Sequence, residues 1–296
     1  MVEAGTVDAA VRGRWQAPVL QNLKSTLAAR PWSRDILLRG SLARAAGDLE
    51  SDIDVVAAVA EEEFEAALRD LSGTLPQSLP GRLPPWLDRI VTDFGGLGFV
   101  YLVQVDDKKW GQVDIYLLPQ GREQRLLDNE FVMPLRRGQD PRPCDDAMSA
   151  HIDGARRRYE ELAARDLQQA VLACYVTLFL LRKRLARRDR LQIFADTYAT
   201  ALRVRDLVFA ACYADQPVRG WRDVSPAAER SADPDLVRKV MSIFAQQDVL
   251  ESAGLAGRVA GLEELVAMLA PAVWREHGES LRGVGRYLGK SPHAVL

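Results

Sequence analysis

LLRGSLARAAGDLESDIDVVAAV, residues Leu37 to Val59, places two aspartates one residue apart at the head of an apolar run. The composition of residues 52 to 60 predicts a strand. On a strand, residues i and i+2 share a face and stand ~7 Å apart along the chain. Asp52 and Asp54 therefore share one face, while Ile53 and Val55 point into a core. Two carboxylates held that close repel each other unless a cation lies between them. Mg²⁺ is bound by one or two carboxylates together with the phosphates of a substrate.

A second aspartate strand lies downstream. In QVDIY, Asp114 is flanked by Val113 and Ile115, so the same alternation sends its carboxylate away from the core. If the two strands lie side by side, three carboxylates converge, enough for two metal ions. Upstream, Gly40 and Ser41 precede the aspartate pair by a short segment. Glycine lets a backbone approach a phosphate closely, and a serine hydroxyl with nearby N–H groups donates to phosphate oxygens. LARAAGDL is expected to begin as a helix whose N-terminus favours an anion. Arg44 and Ser51, in the same stretch, are candidates for the same anion.

The rest of the chain divides by periodicity. Two helical segments are expected over residues 6–30, with Pro18 near the start of the second and Pro31 closing it. Strands are expected at 36–38, 52–60, 98–105 and 111–118, the last two joined by DDKKW as a hairpin. EEEFEAALRDL, 61–71, reads as a helix, and the proline-rich stretch 73–88 as a loop. Residues 119–144 are mixed. Beyond them helices are expected at 146–163, 166–188, 191–213, 234–248 and 258–275. The fold class is α+β: a mixed-sheet domain over 1–144, then an all-helical domain over 145–296.

Composition sets the limits. The chain has 296 residues, 48% apolar and 27% charged, with formal net charge −2. A basic excess suited to nucleic acid is missing, so nucleic acid is a weak candidate partner. Cys144, Cys174 and Cys212 form no CxxC pair, and with His151, His277 and His293 they give no zinc-ligand spacing. The longest apolar stretch, AVLACYVTLFLL, has 12 residues, short of the ~20 that span a bilayer. The opening residues MVEAGTVDAAVRGRWQ lack a basic segment followed by an apolar core. A cytoplasmic location without membrane contact is expected.

Gly40-Ser41, ten intervening residues, Asp52-Ile53-Asp54 and a later strand with Asp114 together resemble the DNA polymerase β-like nucleotidyltransferase superfamily. RGSLAR followed by SDIDVV looks most like its bacterial antibiotic nucleotidyltransferases of the aminoglycoside and lincosamide type. These join such a domain to a helical one of similar size. The resemblance implies transfer of a nucleoside monophosphate, AMP from ATP as the expected case, onto a hydroxyl of a small molecule, with Mg²⁺ as the cofactor. It also implies that Gly40 and Ser41 hold the triphosphate, and that Asp52 and Asp54 hold Mg²⁺. Asp114 completes the metal site or deprotonates the acceptor. Ala45 and Ala46 stand before Gly47, where many members have glycine sooner after the arginine. A homodimer is compatible with the resemblance. A macromolecular acceptor (tRNA, as in toxin-type members, or protein) and a cyclic-oligonucleotide synthase stay open as alternatives.

Other residues have two readings. LRKRLARRDR, 181–190, is either a solvated helix end or a source of phosphate contacts from Arg182, Lys183, Arg184 or Arg187, with Lys183 the chosen candidate. Glu160 and Glu161 are surface charge, or a general base or a contact for a cationic acceptor. Tyr175, Phe179 and Trp110 are expected in cores, Trp86 in a core or loop, His151 at a structural or exposed position, and Asp106 and Asp107 in the turn.

Overall fold

A computed structural model of the chain describes residues 14–122, 133–136, 146–212, 234–244 and 252–290. The fold is α+β. The chain divides into two compact units, Met1–Glu161 and Leu162–Leu296.

The first unit is built on one mixed sheet. Helix α1 (Gln16–Ala28) precedes strand β1 (Ser33–Arg39), a single-turn helix α2 (Gly40–Ala43) and strand β2 (Ile53–Val59). A helical stretch follows: a 3₁₀ turn at Glu61–Glu63, α3 (Phe64–Arg69), a π-helical turn at Asp70–Thr74 and α4 (Leu75–Ser78). Strands β3 (Trp86–Asp88), β4 (Leu97–Gln104), β5 (Trp110–Pro119) and β6 (Met133–Arg136) complete the sheet, in spatial order β3-β4-β5-β2-β1-β6. Strands β2 and β5 pair in parallel, and the other neighbours are antiparallel.

Alternation gives the sheet two unlike faces. Ile36, Leu38, Ile53, Val55, Ala57, Val59, Val113, Ile115 and Leu117 belong to the main core, with Leu20, Leu23 and Leu27 of α1 and Phe64, Leu68 and Leu71 of the helical stretch. The opposite face holds a smaller apolar cluster of Leu37, Val56, Val91, Tyr116 and Leu118. Burial of this kind is worth about 25 cal/mol per Å² of apolar surface, so the first face anchors the unit. The second face has room for polar residues.

Helix α5 (Asp146–Arg165) begins in the first unit, where Ile152 and Ala155 join the main core. The boundary expected after residue 144 falls before this helix, whereas the compact units divide near its end. The second unit contains α6 (Leu167–Arg187), α7 (Arg190–Cys212), α8 (Pro234–Phe244), α9 (Ser252–Leu269) and α10 (Pro271–Leu288). Asp166 caps α6 by accepting from the Gln168 N–H at 2.8 Å. Arg188, in left-handed backbone conformation, ends it. Among the described residues no helix is long and apolar enough to cross a membrane.

Several expected elements differ. The stretch 73–88 is not all loop: helix continues to Ser78, and Trp86–Asp88 pairs with β4. Strand β6 lies in the mixed region, its Pro134 tolerated because β6 is an edge strand. Helix α1 ends at Ala28, before Pro31. The single helix expected over 258–275 is two, broken at Ala270, with Pro271 opening α10. Gly285 of α10 faces Glu263 and Val259 of α9, where a Cβ would collide with the Glu263 side chain. The earlier of the two segments expected over 6–30, the tail of 234–248, Cys144 and His293 lie outside the described residues.

Candidate metal centre

Pairing of β2 with β5 decides the site. In that parallel register Asp54 stands directly opposite Asp114. Asp52 immediately precedes β2, and ligand oxygens of Asp52, Asp54 and Asp114 all lie within 4.8 Å of one another. The three carboxylates expected to converge do so. Asp114 is buried, and Asp52 and Asp54 are half-buried. Three hard anionic oxygen donors fit a hard divalent cation such as Mg²⁺.

The neighbours hold these carboxylates in place. Gly40, at φ +73°, sits against Asp54, and a Cβ there would run into Asp54 Oδ2. Glycine is therefore required twice, by its backbone conformation and by the carboxylate beside it. On β5, Gln112 Nε2 donates to Asp114 Oδ1 at 2.9 Å and Oδ2 at 3.0 Å. The Tyr116 hydroxyl contacts Asp114 Oδ2 at 3.3 Å and Asp54 Oδ1 at 3.4 Å. Burial first, then the charges of Asp114 and Asp54, push the Tyr116 phenol well above its usual range, so it stays a proton donor. Arg39 pairs in register with Asp54, and its guanidinium lies 4.6 Å from the centre of the Tyr116 ring. That places a cation beside the carboxylates.

The segment leading into Asp52 is clamped from the N-terminal side. Arg14 donates to the Gly47 carbonyl, Trp15 Nε1 to the Leu49 carbonyl at 3.0 Å, and Gln16 Nε2 to the carbonyls of Asp48 and Ser51 at 2.9 and 3.1 Å. Gln16 is completely buried. Ser51, a candidate anion contact by sequence, is also buried, and its hydroxyl closes the loop by donating to Asp48 Oδ1 at 2.9 Å. The helix expected after Ser41 is one turn, α2, too short for a helix dipole to matter. Ser41 is half-buried at the head of that turn, and Arg44 is exposed beyond it.

The remaining candidates lie elsewhere. Lys183 and Arg182 are buried in the helical unit, at 3% and 1% exposed, so this part of the basic run is not a solvated helix end. Arg187 is exposed. Glu160 is engaged by Arg156 at 2.6 Å and Arg89 at 3.8 Å, and Glu161 is exposed. Tyr175, Phe179 and Trp110 are buried, and His151 is exposed. Asp106 accepts from the Lys108 N–H in the hairpin turn. Sequence reading missed Arg39, Gln112 and Tyr116. The signal was present, since Gln112 and Tyr116 flank Asp114 at the same two-residue period.

Neither the family models nor the curated proteins searched give a match to this chain. The functional reading therefore stands on the site's own chemistry.

Proposed function

We propose that the chain is a Mg²⁺-dependent nucleotidyltransferase. It moves a nucleoside monophosphate, AMP from ATP as the expected case, onto a hydroxyl of a small molecule such as an antibiotic or biosynthetic intermediate. The observation that carries this reading is the convergence of Asp52, Asp54 and Asp114 on one sheet face, beside a glycine-serine turn. Three like charges gathered on one face have a purpose if a cation is to be held there.

In this reading Asp52 and Asp54 hold Mg²⁺, and Asp114 completes the set or takes the acceptor's proton. When bound, the metal supplies charge stabilisation for the triphosphate and the attacking oxygen. Gly40 and Ser41 lie against the phosphates, with Arg44 near the same turn. The acceptor oxygen bonds to the α-phosphorus, the α-phosphorus bond to the bridging oxygen breaks, and pyrophosphate leaves. Holding the two reactants in line is the chain's main contribution.

The test is pyrophosphate release from labelled triphosphates against aminoglycosides, lincosamides and total RNA. Mg²⁺-dependent release with label on a small molecule is expected, lost in Asp52→Ala and Asp54→Ala. Label on RNA or protein alone would move the acceptor to a macromolecule. Turnover by both variants at the parent rate would refute the assignment.

A further inference from the structure

Asp114 is held more completely than a solvated carboxylate needs. It is 5% exposed and stands between Gln112 and Tyr116 on one face of β5. Gln112 is itself 3% exposed, and its one amide nitrogen spans both Asp114 oxygens at 2.9 and 3.0 Å. Residues two apart on a strand stand side by side, so a side chain as long as glutamine can lay its amide across its neighbour's carboxylate. Contact at both oxygens resists rotation of the carboxylate about its last torsion, which is otherwise broad and soft.

The donor's chemistry matters as much as its position. An amide orients the carboxylate without adding a positive charge, whereas lysine or arginine in its place would compete with a metal for the same anion. Tyr116 adds a second neutral donor, which reaches Asp114 at 3.3 Å and Asp54 at 3.4 Å and so straps the carboxylate of β5 to that of β2. The same register brings Asp54 opposite Asp114.

We propose that Gln112 is a positioning residue for a divalent-cation site. It fixes the Asp114 carboxylate so that, with Asp52 and Asp54, it presents a ready-made set of oxygens, and Tyr116 sets the distance between strands. This rests on the nucleotidyltransferase reading in one respect only, that the three carboxylates bind a metal. Groups that orient a metal ligand in this way lower metal affinity about 10- to 100-fold when removed.

The experiment is a Mn²⁺ titration of the full chain without nucleotide, followed by loss of the free-ion EPR signal. Gln112→Met keeps the length and volume of the side chain and removes the donor. The parent is expected to bind Mn²⁺ saturably and Asp54→Asn to lose that binding. Gln112→Met should bind about 10- to 100-fold more weakly, with thermal unfolding close to the parent's. Parent-like Mn²⁺ affinity in Gln112→Met, with binding still lost in Asp54→Asn, would overturn the role of Gln112 and leave the metal reading standing. Failure of the parent itself to bind Mn²⁺ would overturn both. Should Gln112→Met not fold, Tyr116→Phe carries the test. It is expected to weaken Mn²⁺ about 10-fold, and unchanged affinity there overturns the proposal.

Discussion

Arg182 in the helical unit and Asp114 in the sheet unit are both buried charges, at 1% and 5% exposed. Their surroundings are opposite in kind. Arg182 donates to the Tyr287 hydroxyl at 2.8 Å and lies 4.0 Å from the centre of the Tyr287 ring, which stacks with Phe179. The aromatic face attracts the cation, so the charge is stabilised by its own packing. Asp114 instead has two more carboxylates within 4.8 Å, and Arg39 faces Asp54 across the β1–β2 register. The first arrangement stabilises a helical core. The second gathers negative charge that a bound cation would relieve, and that contrast separates a structural charge from a candidate functional one.

Substitutions should separate the two places. The largest effect is expected from Asp54→Asn, with nucleotidyl transfer falling about a thousandfold, roughly 4 kcal/mol in the barrier. Because it relieves repulsion between facing carboxylates, thermal unfolding of the metal-free variant should be unchanged or raised by up to about 1 kcal/mol. A destabilised Asp54→Asn would make the cluster structural and erase the contrast. Arg182→Met should do the reverse. It should cost about 3 kcal/mol of stability by denaturant unfolding and leave Mn²⁺ affinity unchanged. Gly40→Ala should lower both stability, by about 2 kcal/mol, and Mn²⁺ affinity, because its Cβ meets Asp54 in a left-handed conformation.

The contrast between faces also has a pH signature. The Tyr116 phenol is raised above the ordinary value of 10.0 by burial and by Asp114 and Asp54. Its contribution to stability is fully present below about pH 10 and is lost as pH rises further, because the unfolded chain releases that proton first. Each such tyrosine steepens alkaline destabilisation by about 1.4 kcal/mol per pH unit. Tyr116→Phe should flatten the slope by one such increment, while the buried Tyr101 and Tyr175, also raised, keep theirs.

The legible parts of the fold were those with a clear period, 3.6 residues for α6 and α7 and two for the aspartate strands. Alternation around Asp52, Asp54 and Asp114 located two strands, and like charge in apolar runs marked their face. Which strands would be neighbours was not written locally. The β2–β5 pairing is parallel and spans the helical stretch and two other strands, so only tertiary packing sets it. Strand β3 was hidden because it has three residues behind Pro84 and Pro85, and β6 because Pro134 sits inside it. Glycines at 278 and 285 obscured α10, where small residues serve close contacts instead of breaking the helix. Gln112 and Tyr116 carried a signal in their two-residue period around Asp114, whereas Arg39 at the end of β1 has no local signature of its partner.

The central claim is that the carboxylate cluster exists to hold a metal beneath a triphosphate. Calorimetric titration of a non-hydrolysable ATP analogue, with and without Mg²⁺, tests it most directly. Saturable binding only with Mg²⁺, abolished in Asp54→Asn, is the predicted result. Equal binding with and without Mg²⁺, or no binding in either case, would contradict it.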